Sequence, residues 1–380
     1  MSHEPRACPV ARRDGSTSVL RGWRHGAAPW RRPGSGPEAV SLDERPARFR
    51  RGSRWSEPAF LWSVVQTLTM RRLLIIGLAA LAGCVQAQRP VAGRPGQPLI
   101  IGHRGASAYL PEHTLPAYAL AHAQGADLVE PDLVCSRDGV LVCLHDLTLE
   151  RVTDVAARFP GRARADGRWY ARDFDWSELE RLTVAGPEGD GTLYRLARLT
   201  DALELVERLN DQAGRSVGVI PEFKQPAWHL AEGVDLVAST QEILARWSER
   251  NPGAAVVVQC FDLDALQVAA GPLDLPVRRV WNLSGSLPSP ADLEGRTRDL
   301  AGIGLSRGAF QGPEAPGPAL LQRARELGLE VFVWTFRGDE AALTEFLRRF
   351  CVDAVFVDDP DVGCRAREAA RAPSAAGATP

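Results

Sequence analysis

The sequence predicts an α/β fold, with strands closing into a (β/α)8 TIM barrel and a small insertion after the second strand. Three observations carry this reading. Eight short apolar runs recur between residues 98 and 357, and helix-period segments fall between most of them. Charged residues collect where the runs stop, the end at which an α/β barrel builds its site. A chain of 380 residues holds one such barrel plus tails. A doubly wound open sheet shares the alternation, but no glycine-rich dinucleotide loop follows the first run.

Composition narrows the class further. Apolar residues make up 45%, charged residues 24%, and the net charge is −2, so nothing favours a polyanionic partner and a nucleic-acid role is not expected. The seven cysteines (8, 84, 135, 143, 260, 351 and 364) form no CxxC or Cys/His cluster, hence no zinc or iron–sulfur signature. Cys135, Cys143 and Cys260 lie in strand-like runs and read as buried apolar residues. Cys351 with Cys364 is the one pairing to test as a disulfide.

In chain order, residues 1–69 are rich in Arg, Pro, Gly and Ser and lack a sustained period, as a disordered leader does. Met70 is the only methionine besides Met1 and opens a different segment. Arg71 and Arg72 are followed by an apolar stretch over 73–82 and the small-residue box Leu81-Ala82-Gly83-Cys84, a signal peptide over 70–84 that is too short to span a bilayer. Translation is therefore expected to start at Met70, with 1–69 outside the true product. The box resembles the bacterial lipoprotein signal, which implies lipidation of Cys84. Export to the periplasm is the expectation, with a lipid anchor as the sole membrane contact. Val85 and Gln86 lack the aspartate associated with inner-membrane retention, which points to the outer membrane. Residues 85–97 read as a tether.

Strands are expected at 98–102, 127–133, 217–223, 254–260, 277–281, 302–306, 330–335 and 353–357, with 140–144 as an added hairpin arm. Helices are expected at 114–124, 200–209, 234–249, 318–327 and 339–350. The long polar stretch at 147–199 is the insertion, expected to pack over the barrel mouth and shape a pocket. The catalytic domain is bounded at 98–362, and 363–380 reads as a disordered tail.

The strand ends carry the chemistry. The first run delivers His103 and Arg104, the second Glu130 and Asp132, the hairpin arm His145 and Asp146, and the third Glu222 and Lys224. Strand side chains alternate, so Glu130 and Asp132 share a face, as do Glu222 and Lys224. Three carboxylates in one mouth repel unless a cation neutralises them. An all-oxygen donor set suits Mg²⁺ or Ca²⁺ better than zinc. Lys224 is the only lysine among 45 basic residues, which favours a need for a compact ammonium there.

The motifs His103-Arg104-Gly105, Glu130-Pro131-Asp132, His145-Asp146 and Glu222-Phe223-Lys224 resemble the glycerophosphodiester phosphodiesterase family in order and spacing. The likeness runs from about residue 100 to 360 and is nearest the secreted, periplasmic branch, through SAYLPEHT at 107–114 and the segment 151–174. Where the family usually has QSF, this chain has Gln259-Cys260-Phe261.

The resemblance implies the barrel and a small-molecule substrate: a glycerophosphodiester such as glycerophosphocholine, hydrolysed to sn-glycerol 3-phosphate and an alcohol. It implies a metal at Glu130, Asp132 and Glu222, with Ca²⁺ favoured and Mg²⁺ the alternative. Arg104 and Lys224 would neutralise the phosphoryl oxygens, and His103 and His145 would act as the acid/base pair. Gln259, Phe261 and Trp334 are expected to contact substrate. Direct attack by water and attack by the neighbouring glycerol hydroxyl use the same residues. Two rivals stay open: a phospholipase-D-like or lyase relative acting on lysolipids, and a surface-binding lipoprotein. Glu112 reads as a supporting residue and His113 as a minor candidate. Asp358 and Asp359 are expected to order a nearby cation, and His122 and His229 to lie on the surface. The oligomeric state is not legible.

Overall fold

Short buried strands and capped helices alternate from Leu99 to Arg371 in the computed structural model, which describes residues 97–185, 194–269 and 277–371. The expected leader, the signal peptide with Cys84 and nearly all of the tether lie outside the described residues. No helix among the described residues is long and apolar enough to cross a membrane.

The first barrel strand is β1 (Leu99–Gly102). The second is divided into β2 (Leu128–Val129) and β3 (Asp132–Cys135), with β4 (Leu141–Cys143) antiparallel to β3. The insertion contributes β5 (Thr183–Val184), β6 (Tyr194–Arg195) and β7 (Ala197–Arg198). The third barrel strand is likewise divided, into β8 (Gly218–Val219) and β9 (Glu222–Phe223). The remaining five are β10 (Val257–Cys260), β11 (Arg278–Leu283), β12 (Gly302–Ser306), β13 (Glu330–Phe336) and β14 (Ala354–Val357).

Pro131 and Pro221 sit at the two divisions, because proline has no N–H to give the ladder. Their carbonyls still accept, Pro131 O from Glu222 N at 3.0 Å and Pro221 O from Gln259 N at 2.9 Å. Parallel pairing runs from β14 through β1 and β2 to β8, which meets Val256 through a bridge from Val219. It also runs from β3 through β9 and β10 onward to β14. Eight parallel strands therefore close a ring.

Ile101, Leu128, Ile220, Val257, Val280, Phe332 and Phe356 fill the interior. Ile100, Val129, Val258, Ile303, Val331 and Val355 face the helices. Both faces of each strand are buried, which is why these strands read as unbroken apolar runs. Helix starts are fixed by side-chain caps: Thr114 on Leu115–Ala123, Asp235 on Leu236–Arg250 and Asp339 on Glu340–Arg349.

The insertion packs on its own core, with Leu149, Val155, Phe174, Leu179, Leu182 and Leu196 gathered on Val134 and Val142 of the hairpin. It is tied to the barrel loop after β9 by Arg164, which bridges Asp173 at 2.8 Å and Glu232 at 2.9 Å. Tyr170 stacks on Trp228 with ring centroids 5.6 Å apart.

Three expectations are corrected. The chain does not fray at residue 363: helix Pro360–Arg371 buries Gly363 and Ala366, and Arg367 reaches Asp127 at 2.5 Å. His122 and His229 are buried, not surface residues, because each answers an interior polar group. His122 pairs with Asn210 at 3.1 Å, and His229 Nε2 accepts from Cys135 N at 3.1 Å. Cys351 and Cys364 are free, and Cys364 instead donates to Gly125 O at 3.5 Å. Cys135, Cys143 and Cys260 are buried and free, as expected.

Candidate active site

The site begins with the turn after β1. Gly105 has φ +91°, and a Cβ there would lie 2.7 Å from the Ala117 carbonyl carbon, so this position requires glycine. Arg104 and His113 are themselves left-handed, with φ 58° and 60°, and the His113 N–H donates to Arg104 O at 3.0 Å. Left-handed non-glycine residues cost energy and persist only where their surroundings fix them. Here the turn folds the Arg104 guanidinium and the His113 ring back over the ends of β2 and β3.

Glu130, Asp132 and Glu222 each offer a carboxylate oxygen, and the three oxygens lie within 4.8 Å of one another. Glu130 is fixed from two sides: Gln259 Nε2 donates to Oε1 at 2.6 Å and the Arg104 N–H donates to Oε2 at 3.1 Å. Asp132 Oδ2 accepts from His113 Nε2 at 2.8 Å and lies 3.4 Å from Arg104 Nε. Lys224 Nζ donates to Glu222 at 2.7 Å and stands 3.6 Å from Asp132 Oδ1.

Burial and then the repulsion of Asp132 and Glu222 push Glu130 well above the usual carboxylate range. Burial and then Asp132 push Glu222 up to about 7. Asp132 goes the other way: burial opposes its charge, but Lys224, His113 and Arg104 together hold it well below that range. Asp132 Oδ1 is buried without a hydrogen-bond partner. An uncommitted oxygen beside two further carboxylates, with no sulfur or nitrogen among the three, fits a hard divalent cation.

His103 Nδ1 lies 2.6 Å from Asp358 Oδ1, and its Nε2 is 3.9 Å from Glu130 Oε2. His145 Nδ1 lies 2.6 Å from Asp146 Oδ1. Carboxylates accept, so each ring donates through Nδ1 and leaves Nε2 free. His113, in the interior, takes the opposite tautomer and has neither nitrogen free. Its Nε2 donates to Asp132, its Nδ1 accepts from the Tyr118 hydroxyl at 2.9 Å, and burial keeps its pKa low and the ring neutral.

A cavity of about 500 Å³ opens beside this cluster. His145, Glu222, Lys224, Cys260 and Phe261 line it from the barrel side, and Thr148, Arg168 and Tyr170 from the insertion, so the insertion does wall the pocket. Phe261 is exposed and meets Trp334 edge to face at 5.8 Å. Gln259 is buried, with both amide ends taken, by Glu130 and by Asn282 at 2.9 Å. Arg104 donates through Nη1 to Glu112 at 3.2 Å and faces Asp132 as an ion pair, its buried Nε making no hydrogen bond.

Sequence reasoning underweighted three residues. Asp358 was expected to order a cation and does pair with Arg337 Nε at 3.7 Å, but its other oxygen also orients His103; closing the ring places the end of β14 beside the end of β1, which was the available signal. His113 holds the central carboxylate. Arg151 joins Asp146 to Glu112, and no local pattern marks it.

Known proteins resemble this chain in sequence and fold. "Glycerophosphodiester phosphodiesterase" of Haemophilus influenzae is 35% identical over 213 residues, 51% of this chain and 58% of that protein. A "Probable glycerophosphodiester phosphodiesterase 1" of Mycobacterium tuberculosis is 57% identical over 272 residues, 67% of this chain and 86% of that protein. The chain spans only 58% and 54% of its Haemophilus influenzae and Treponema pallidum relatives. Among solved structures, an Oleispira antarctica phosphodiesterase in complex with the product sn-glycerol-3-phosphate superposes with TM-score 0.55 at 26% identity, covering 72% of this chain and 97% of that one. A Silicibacter pomeroyi protein shares the fold, with TM-score 0.58 at 22% identity, 73% of this chain and 95% of the other. The model of the Glycerophosphoryl diester phosphodiesterase family matches residues 103–362, well over half of the sequence, and the chain belongs to that family.

Proposed function

We propose that this chain hydrolyses glycerophosphodiesters such as glycerophosphocholine to sn-glycerol 3-phosphate and an alcohol. The observation that carries the reading is the placement of two imidazoles, each with Nδ1 committed to a carboxylate, around a buried three-carboxylate site beside an open cavity. The product held by the Oleispira antarctica relative supports the substrate class.

Glu130, Asp132 and Glu222 would hold the cation, Ca²⁺ by preference and Mg²⁺ as the alternative. Such an ion supplies charge neutralisation at the phosphoryl oxygens. Lys224, on the cavity wall, adds a compact positive charge, and with the His113 hydrogen bond and Arg104 it keeps Asp132 ionised. His103 and His145 each keep Nε2 for proton transfer: one, as neutral imidazole, takes the proton of the attacking oxygen, and the other, as imidazolium with Nδ1–H on its carboxylate, gives its Nε2 proton to the departing alkoxide. Phe261 and Trp334 form an apolar face for the carbon skeleton, and Gln259 acts through Glu130.

Export, and anchoring through lipidated Cys84 to the outer membrane, belong to the same proposal and rest on the 70–84 segment.

The test is release of glycerol 3-phosphate from glycerophosphocholine by the Ca²⁺-loaded chain, beside its EDTA-treated form and the His145→Ala variant. Loss of turnover in both controls is expected. A folded, Ca²⁺-loaded protein that turns over lysolipid and leaves glycerophosphocholine intact would move the reading to a phospholipase-D-like activity. Inertness toward both would leave the binding-protein reading.

A further inference from the structure

Arg151, at the start of the insertion, grips two carboxylates at once. Its Nε donates to Asp146 Oδ2, its Nη2 to Glu112 Oε1 at 2.6 Å and its Nη1 to Glu112 Oε2 at 3.3 Å. Asp146 uses its other oxygen on His145 Nδ1, and Glu112 is shared with Arg104 Nη1 at 3.2 Å. The result is a hydrogen-bonded alternation of charge, His145 to Asp146 to Arg151 to Glu112 to Arg104, whose guanidinium then meets Asp132 as an ion pair at 3.4 Å without a hydrogen bond.

Resting on the hydrolase reading above, we propose that Arg151 is a positioning residue. By bridging Asp146 and Glu112 it fixes the His145 ring relative to the Arg104–Asp132 cluster, and so joins the insertion half of the site to the barrel half.

Two physical points favour this over a structural role. The side chain of Arg151 is 44% exposed, and exposed ion pairs contribute little to folding. Asp146 follows His145 directly and is 28% exposed, so without a second partner its carboxylate could rotate into solvent and carry the ring with it. A planar guanidinium can hold two carboxylates in one plane, whereas an ammonium cannot form that fork. The geometry therefore requires arginine and predicts an effect on turnover through Asp146 that exceeds the stability lost with the Glu112 contact.

The experiment compares the full chain with Arg151→Gln and Arg151→Lys. Histidine-selective ¹⁵N NMR needs no turnover: the wild type is expected to show His145 as the Nδ1–H tautomer, and Arg151→Gln a mixture of both tautomers. With Ca²⁺ and glycerophosphocholine, kcat is expected to fall about tenfold or more in Arg151→Gln, as the charge-assisted hold on Asp146 is lost, with KM unchanged and the thermal midpoint lowered no further than in Glu112→Gln, which loses the same Arg151–Glu112 contact. Arg151→Lys should recover little of this.

An unchanged His145 tautomer in Arg151→Gln overturns the proposal. So does a rise in KM at constant kcat, which would make Arg151 a direct substrate contact, or a fall in thermal midpoint that tracks kcat. If the wild type itself releases no glycerol 3-phosphate, the hydrolase reading fails and the tautomer comparison alone decides the role of Arg151.

Discussion

His103 and His145 are held by opposite strategies. His103 depends on Asp358, 255 residues away in the chain, and the two meet because β1 and β14 are neighbours in the closed ring. Its side chain is 19% exposed. His145 depends on the next residue, Asp146, is 34% exposed, and stands where the hairpin passes into the insertion. The barrel half of the site is thus a product of global topology, built from buried groups. The insertion half is a local network set against solvent. The first should be stiff and costly to alter, the second adjustable at small cost to the fold.

The largest expected difference lies in metal affinity. Asp132→Asn removes the carboxylate that Lys224, His113 and Arg104 keep charged, and should weaken Ca²⁺ binding by at least about a hundredfold, read by calorimetry. Asp146→Asn should leave that affinity unchanged. An equal loss in both would show the halves to be one electrostatic unit. Next come the histidines: His103→Ala and His145→Ala should each lower kcat by about 10²–10⁴. Only His103→Ala should also lower the thermal midpoint, since it breaks a contact between the first and last strands. Matching midpoints would break the comparison.

A smaller effect separates the halves by pH. Burial alone would raise Glu112, but the hydrogen bond from Arg151, with the charges of Arg104 and of Arg151 itself, carries it from 4.5 down to about 2. Between these values the unfolded chain binds a proton that the folded chain does not. The stability contributed by Glu112 is therefore whole above about pH 4.5 and is lost as pH falls toward 2. Glu112→Gln should flatten the acid-unfolding curve in that window. A curve unchanged from wild type would mean the Arg104–Glu112–Arg151 contact has no energetic weight.

The barrel half was also the more legible in sequence. Strand period places Glu130 with Asp132 and Glu222 with Lys224, and one fact, that eight parallel strands close, brings the pairs together. Pro131 and Pro221 interrupt the ladder without opening the ring, so the continuous runs at 127–133 and 217–223 hid two divisions. The insertion half was less legible because arginine-rich segments offer many equivalent cations, and only three-dimensional packing selects Arg151 for Asp146 and Arg164 for Glu232. The C-terminal helix was missed for a related reason. An Ala/Arg-rich stretch has good helix propensity but few large apolar residues to mark its buried face, and it is held by small buried residues and by Arg367 on Asp127. His122 and His229 misled because a histidine on a helix says nothing of the polar groups it will face.

The smallest expected effect concerns Cys260, where the family usually has serine. The thiol is buried, donates to Phe223 O at 3.3 Å and accepts from Asp262 N at 3.3 Å. Burial pushes its pKa up to about 12, so it stays neutral beside Glu222 and offers no nucleophile. A serine hydroxyl has the same donor and acceptor, with slightly less apolar volume. Cys260→Ser should therefore leave kcat and Ca²⁺ affinity unchanged and shift stability by about 1 kcal/mol or less. Cys260→Ala deletes both bonds and should be the less stable of the two variants by about 1 kcal/mol, read as urea midpoints. That ordering would show that even a neutral position in the barrel half is held by its hydrogen bonds. The reverse ordering would mean that apolar packing alone fixes the end of β10, and that the stiffness of this half owes less to polar contacts than the geometry of its carboxylates suggests.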